Sequence, residues 1–169
     1  IQGDGATVVG PMMESGDVDV LAFIGTSRVA NILKRQHPRP NRLRCVLGLE
    51  AKNPAVILPC ADVDAAVREC AAGALGYNGQ RCTAIKQIFV HESLAAAFVE
   101  KLAAAVDDLA AGMPWEPGVA LTPLPEAGKP AYLRSLVADA VEKGAHVVNA
   151  GDVATGTFYR PAVVFPVTR

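Results

Sequence analysis

The chain has 169 residues, of which 51% are hydrophobic and 20% are charged, so there is enough apolar material for a sizeable core. Its formal net charge of −1 argues against a nucleic-acid partner, because phosphate binding requires an excess of lysine and arginine. No apolar run reaches the ~18 residues of a transmembrane candidate, and no signal peptide precedes the first strand pattern, so no membrane partner is expected. The sequence does not begin with methionine, as expected for a sequence that starts within a longer chain.

The first part of the chain, up to residue 50, alternates strand patterns with helical ones. A short apolar run at residues 6–9 is followed by a run at 18–24 that is rich in Val, Ile and Phe, as in a buried strand of a parallel sheet. Thr26 or Ser27 can cap a helix that extends to about Gln36, where two nearby prolines end it. With a third strand at residues 42–49, the sequence predicts a βαβ arrangement.

The remaining sequence continues this α/β pattern. An apolar run at residues 55–58 precedes an alanine-rich helix, which Asp62 or Asp64 caps and which extends to about Leu75. A loop at 76–82 leads to a strand at 85–90. Helices are predicted at 93–111 and 129–143, with a proline-rich loop between them, and strands at 145–148 and 158–165.

The cysteines do not form a metal-binding pattern. Cys45, Cys60, Cys70 and Cys82 include no C-x-x-C pair, and no histidine lies at ligand spacing from them, so no zinc site is expected. Disulfides are not expected in a chain without a secretion signal. The sequence therefore predicts a reduced protein in the cytoplasm.

Cys82 lies in the segment GQRCTA, residues 79–84, between a predicted helix and a predicted strand. A thiol is a nucleophile only as thiolate, and a free cysteine has a pKa of ~8.5. Helix-end amides and the adjacent Arg81 would favour the thiolate. Arg81 could equally meet a substrate phosphate or form an outward salt bridge, and Cys82 could equally be a small buried hydrophobe. The motif alone leaves these alternatives open.

Four segments taken together resemble one family. They are FIGTS at 23–27, GLEAKNP at 48–54, GQRCTA at 79–84 and GMPWEPGVALTPLP at 112–125. In this order the chain resembles the aldehyde dehydrogenase superfamily, and most closely its bacterial NADP-dependent, non-phosphorylating glyceraldehyde-3-phosphate dehydrogenase branch. The resemblance implies an internal piece of a longer enzyme. Residues 1–49 would be the C-terminal part of a Rossmann-like cofactor domain, and residues 50–169 the N-terminal part of an α/β catalytic domain.

The resemblance also implies site residues. Cys82 would be the nucleophile that attacks an aldehyde, and its backbone N–H would be one donor to the oxyanion. Gly25 and Thr26 would form the turn that meets the pyrophosphate of NADP (NAD being possible), which agrees with the affinity of helix N-termini for anions. The backbone of Leu49 would approach the nicotinamide. Without the resemblance, an ordinary helix cap and a core leucine explain these positions equally well.

One position departs from the family pattern. The general base is usually a glutamate at the position that Gly48 occupies here, whereas this chain has Glu50 two residues later. Residues 48 and 50 would point to the same side if the strand continued, because side chains alternate along a strand. We therefore expect Glu50 to act as the base, with a salt-bridged or solvated carboxylate as the alternative.

These observations predict an enzyme that oxidises a small aldehyde, with glyceraldehyde 3-phosphate the best candidate, in a protein whose family members form homo-oligomers. A second interpretation is a non-catalytic fragment that is inactive by itself. A third and weaker one is a cysteine hydrolase, although no Cys–His spacing supports a dyad. Mixing the purified chain with NADP and substrate tests the second interpretation: we expect no NADP reduction by the chain alone, and steady turnover would exclude that interpretation.

Overall fold

A computed structural model describes residues 2–151 and 156–167. The chain forms two compact units, Ile1–Ala51 and Lys52–Arg169. Both combine helices with short strands, in agreement with the predicted α/β class. Whether the units correspond to a cofactor domain and a catalytic domain remains a prediction. Within the described ranges, no helix is long and apolar enough to cross a membrane.

The first unit begins with a helix where a strand was predicted. Helix α1 covers Gly5–Glu14 and includes the apolar run at residues 6–9. The side chain of Asp4 accepts a hydrogen bond from the backbone N–H of Thr7 at 3.1 Å and so caps the helix. Val9 and Met13, four residues apart, share one helical face, and both pack in the core of this unit. The prediction of a strand was wrong because it overlooked this cap and this spacing.

The predicted βαβ arrangement is confirmed in the first unit. Strand β1 (Val20–Ile24), helix α2 (Ser27–Gln36) and strand β2 (Arg44–Gly48) follow one another, and the two strands pair in parallel with Val20 opposite Arg44 and Ile24 opposite Gly48. Four buried side chains from the helices, β1 and the segment before β2 form the core of the unit: Met13, Leu21, Leu33 and Leu43. Burial of these apolar side chains holds the helices against the strand pair.

The second unit repeats the parallel pairing. Its strands are β3 (Pro54–Ile57) and β4 (Gln87–Val90), and its first two helices are α3 (Val63–Leu75) and α4 (Glu92–Asp107). Asp62, one of the two predicted caps, caps α3 by accepting from the N–H of Ala65 at 2.9 Å. Among the described residues, its main core cluster contains six buried side chains: Ile57, Val67, Cys70, Phe98, Leu102 and Val106.

The last segment contains less strand than the sequence predicted. Helix α5 (Lys129–Glu142) is followed by an antiparallel pair of two-residue strands, β5 (His146–Val147) and β6 (Val164–Phe165). The predicted strand at 158–165 is therefore mostly irregular. Pro161 has no N–H for a ladder, and its carbonyl instead accepts from the side chain of Asn149 at 3.0 Å. The N–H of Val163 donates to the other end of the same carboxamide.

Candidate active site

The segment that leads to Cys82 has an unusual backbone. A single 3-10 turn at Gly76–Gly79 follows α3, and within it Tyr77 and Asn78 both have φ of 56°. Asparagine tolerates this left-handed conformation, whereas a bulky tyrosine is rarely found in it. The Asn78 carboxamide holds the turn in place by three hydrogen bonds of 2.9–3.0 Å to the backbone and hydroxyl of Thr122.

Arg81 is the second residue that stabilises this turn. Its guanidinium lies 5.5 Å from the centroid of the Tyr77 ring, a cation–π contact. The structure places the guanidinium over this ring, whereas an outward salt bridge was one of the alternatives for Arg81. Cys82 itself is exposed. The alternative that Cys82 is a small buried hydrophobe therefore does not describe this chain.

The backbone around Cys82 is bound to side chains from two other parts of the second unit. The Asn53 carboxamide donates to the carbonyl of Cys82 at 2.6 Å and to that of Ala84 at 3.1 Å. The Lys86 ammonium group donates to the carbonyls of Arg81 and Ala84 at 3.3 and 3.1 Å. A thiol that is exposed therefore lies on a backbone that is tightly held.

The backbone that follows Cys82 is anchored in the core of the second unit. Ala84 is fully buried, and the N–H of Ile85 donates to the carbonyl of Gly73 in α3 at 3.1 Å. A Cβ on Gly73 would lie 2.7 Å from Cδ1 of Ile85, so glycine permits this close approach. Sequence reasoning did not identify Asn53, Lys86 or Gly73. Asn53 lies within the segment GLEAKNP, but its partners are 29 and 31 residues away, and no spacing rule connects them.

The other predicted site residues lie in the first unit, Gly25 and Thr26 directly before α2 and Leu49 and Glu50 directly after β2. The N–H of Gly25 donates to the carbonyl of Gly48 at 3.0 Å, and the hydroxyl oxygen of Thr26 accepts from the N–H of Val29 at 3.3 Å. Thr26 is thus the N-cap of α2, as predicted. A Cβ on Gly25 would lie 2.5 Å from the Phe23 ring, which explains glycine at this position. Leu49 is 40% exposed and is therefore not a core leucine of the described structure.

Glu50 is bound to the same helix end. Its two carboxylate oxygens accept hydrogen bonds from the backbone N–H of Ser27 at 2.6 Å and from the Ser27 hydroxyl at 2.5 Å. The serine hydroxyl, the N–H of Glu50 itself and the serine N–H, in that order, hold the pKa of the Glu50 carboxyl below its usual value. β2 ends at Gly48, so the strand alternation invoked for residues 48 and 50 does not apply. The carboxylate is hydrogen-bonded at a helix end and exposed.

The arrangement at α2 is compatible with a cofactor phosphate. The first turn of the helix contains no acidic residue, and its N-terminal amide already binds one anionic group, the Glu50 carboxylate. A phosphate would take the same kind of hydrogen bond, and at the amide of Ser27 it would have to displace Glu50. Gly25, Thr26 and Ser27 are the residues that would hold it.

The remaining cysteines have different environments. Cys70 is buried in the second unit, and burial, with a smaller contribution from Glu69, raises the pKa of its thiol. Cys45 and Cys60 are exposed. In the part of the chain that the structure describes, no three His, Cys, Asp or Glu side chains are grouped so that they could hold a metal ion.

Comparison with known proteins identifies the family. The aldehyde dehydrogenase family model matches residues 1–169. The chain is 39% identical to the NADP-dependent glyceraldehyde-3-phosphate dehydrogenase of Streptococcus equinus over 149 residues, which are 88% of this chain and 30% of that enzyme. It is 34% identical to the vanillin dehydrogenase of Pseudomonas fluorescens over 164 residues, 95% of this chain and 33% of that enzyme.

A solved structure shows the same fold. The NADP-dependent glyceraldehyde-3-phosphate dehydrogenase of Bacillus halodurans, complexed with NADP, superposes with a TM-score of 0.84 at 29% identity, covering 97% of this chain and 33% of that enzyme. The chain thus spans about a third of the length of these relatives. With a family model that matches from end to end and relatives above 30% identity, the chain belongs to the aldehyde dehydrogenase family.

Proposed function

We propose that this chain carries the nucleophile of an NADP-dependent aldehyde dehydrogenase, with Cys82 as that nucleophile and glyceraldehyde 3-phosphate as the substrate. One observation carries the proposal: the exposed thiol of Cys82 lies on a backbone turn whose carbonyls are held by Asn53 and Lys86. The names of two relatives and the NADP bound to one of them support the cofactor and the substrate. A relative that is named a vanillin dehydrogenase shows that family membership alone does not select the aldehyde.

The chemistry assigned to Cys82 is nucleophilic catalysis. Its thiolate attacks the aldehyde carbon, a C–S bond forms, and the carbonyl oxygen becomes an oxyanion. The backbone N–H of Cys82 is the donor that this chain offers to that oxygen. Bound NADP supplies the two-electron acceptor that converts the adduct to a thioester.

The cofactor contacts in the proposal are those of the first unit. Gly25 and Thr26 at the N-terminus of α2 meet the pyrophosphate, and the backbone of Leu49 meets the nicotinamide. The physical support is the anion already bound at this helix end, the carboxylate of Glu50.

Glu50 is proposed as the general base for thioester hydrolysis. Its lowered pKa keeps it ionised at neutral pH, as a base must be, but also weakens it as a base while Ser27 binds it. Release from Ser27 would therefore make it more basic. In the full-length parent enzyme, Glu50→Gln is expected to slow thioester hydrolysis, and hence steady-state turnover, and to spare the first burst of reduced NADP. An unchanged steady-state rate would remove Glu50 from this role.

The experiment that tests the proposed function compares two cysteine variants. The protein is mixed with NADP and glyceraldehyde 3-phosphate, and the absorbance of reduced NADP is followed. We expect Cys82→Ser to abolish turnover and Cys60→Ser, the matched control at another exposed cysteine, to preserve it. Turnover that survives in Cys82→Ser would contradict the proposal.

A second candidate is that these 169 residues by themselves are a non-catalytic fragment of an aldehyde dehydrogenase, inactive alone. The observation that favours it is that Gly48 occupies the position of the family's usual base, while the nearby Glu50 carboxylate is bound to Ser27. It predicts no NADP reduction by the 169-residue chain with any aldehyde. Steady turnover by this chain would exclude it.

A further inference from the structure

Asn53 lies immediately before β3, and its side chain binds the backbone of residues 81–84, here called the nucleophile turn. Its carboxamide contacts two carbonyl oxygens, those of Cys82 and Ala84, at 2.6 and 3.1 Å. Two carbonyl acceptors can be served only by the NH2 end of the carboxamide, whose two hydrogens are both used. An ionised aspartate could not make these two bonds, because carboxylate oxygens accept hydrogen bonds and both partners here are carbonyl acceptors.

The Asn53 backbone is fixed as well. Its carbonyl accepts from the N–H of Lys86 at 2.9 Å, immediately before the point where β3 and β4 pair in parallel with Pro54 opposite Gln87. Asn53 is thus held by a strand ladder on one side and bonds the turn on the other. A short side chain on such a rigid backbone has little freedom, so the positions of the two carbonyls are well defined.

These bonds fix the two peptide planes that flank Cys82. The plane before it includes the carbonyl of Arg81, which accepts from the N–H of Ala84 at 3.1 Å and from the Lys86 ammonium group at 3.3 Å. In a trans peptide the N–H points opposite to the carbonyl, so these bonds direct the N–H of Cys82 away from Ala84 and Lys86. The plane after Cys82 is held by Asn53 alone of the side chains described.

From this geometry we propose that Asn53 is a positioning residue for Cys82. By binding the Cys82 carbonyl it fixes the peptide plane that follows Cys82, and this plane restrains the backbone on which the direction of the thiol depends. Catalysis is sensitive to such alignment, since misplacing a reacting group by ~1 Å can cost about 100-fold in rate. The role rests on the proposed function of Cys82, but the positioning itself can be measured without turnover.

The test is the order parameter of the Thr83 amide, which shares its peptide plane with the Cys82 carbonyl, from NMR relaxation of the 169-residue chain. We expect S² near ~0.85 in the parent chain and below ~0.6 in Asn53→Ala. Asn149→Ala is the matched control, because Asn149 also bonds a backbone carbonyl of the second unit but is not bonded to the turn. It should leave the Thr83 amide unchanged. A rigid Thr83 amide in Asn53→Ala would overturn the proposal.

Kinetics add a second readout. In the active protein, Asn53→Ala should lower kcat by about 10- to 100-fold with a smaller change in KM, whereas Asn149→Ala should lower neither. Asn53→Ser, which retains one donor, should fall between Asn53→Ala and the parent, and it serves if Asn53→Ala does not fold. An unchanged kcat beside a mobile Thr83 amide would overturn the catalytic part. Turnover that survives in Cys82→Ser, together with the expected S² change in Asn53→Ala, would refute the proposed function and support the positioning.

Discussion

The close approach of Gly73 and Ile85 lets us predict how an alanine at position 73 changes the stability of the chain. The sign of that change depends on one methyl group, Cδ1 of Ile85. Gly73 lies inside α3, where an alanine would gain ~1 kcal/mol of helix propensity. However, a Cβ there would lie 2.7 Å from Cδ1 of Ile85 and 3.3 Å from its Cγ1. Overpacking of this kind costs about 1–3 kcal/mol, so Gly73→Ala should destabilise the chain by up to ~2 kcal/mol.

The same change should stabilise a chain that lacks the methyl group. Ile85→Val removes Cδ1 and by itself should cost ~0.5–1.5 kcal/mol. In that background only the 3.3 Å contact with Cγ1 remains, so Gly73→Ala should gain up to ~1 kcal/mol of stability.

The assay is urea unfolding of the four chains, that is, the parent, the two single variants and the double variant. The double-mutant cycle should give a coupling of at least ~1 kcal/mol that favours the double variant. Equal effects of Gly73→Ala in both backgrounds, within ~0.5 kcal/mol, would refute the reasoning that Gly73 is required by the packing of Ile85. That result would also weaken the view that α3 anchors the nucleophile turn.

Three further predictions follow from burial and charge. Iodoacetamide should modify the exposed Cys82 in the native protein and spare the buried Cys70 until the chain is unfolded, as peptide mass spectrometry would show. Phe98→Ala should cost ~3–5 kcal/mol in urea unfolding, because Phe98 is 1% exposed in the centre of the second core. Ser27→Ala should raise the pKa of the Glu50 carboxyl toward its ordinary value, measured by NMR titration, because the serine hydroxyl is the main cause of the lowered pKa.

Each of these three predictions has an outcome that would contradict it, and the Phe98→Ala prediction also has a control variant. Phe89→Ala, at a half-exposed position of β4, should cost far less than Phe98→Ala, and equal losses would contradict the assigned core. Modification of Cys70 as fast as that of Cys82 in the folded chain would contradict its burial. An unchanged titration of Glu50 in Ser27→Ala would show that the carboxylate does not rest on Ser27 in solution.

The pH dependence of the Glu50 contact has a definite sign. Because the folded-state pKa is lowered, the contribution of this contact to stability is present above the unfolded-state pKa and is lost as the pH falls through the folded-state pKa. In Ser27→Ala this loss should be smaller. The direction follows from the hydrogen bonds alone.

The sequence was sufficient for the helices with clear periodicity and caps. The pairs Asp62/Asp64 and Thr26/Ser27 marked the starts of α3 and α2, because a side-chain oxygen before an apolar pattern is a local signal, and the first residue of each pair is the cap. The apolar run at 6–9 was misjudged because four residues cannot distinguish a strand from a buried helical face. Pro161 was underestimated as a barrier to strand pairing.

The candidate site was only partly accessible from the sequence. Cys82 stood out because its motif lies in order with three other segments, whereas its supports depend on contacts across long separations. The Asn53 carboxamide meets the turn 29 residues later, and the Glu50 carboxylate meets Ser27 23 residues earlier. Such pairings result from strand register and from where a strand ends. Alternation along β2 could not place Glu50, since that strand ends at Gly48.

The most direct test of the account is to identify the residue that becomes acylated during turnover. The protein is mixed with NADP and aldehyde, quenched in acid, and digested for mass spectrometry. We predict a thioester adduct on the peptide that contains Cys82, and none on those that contain Cys45, Cys60 or Cys70. Turnover with the adduct on another residue, or with no adduct in Glu50→Gln where hydrolysis should be slowed, would contradict the assignment of Cys82 as the nucleophile.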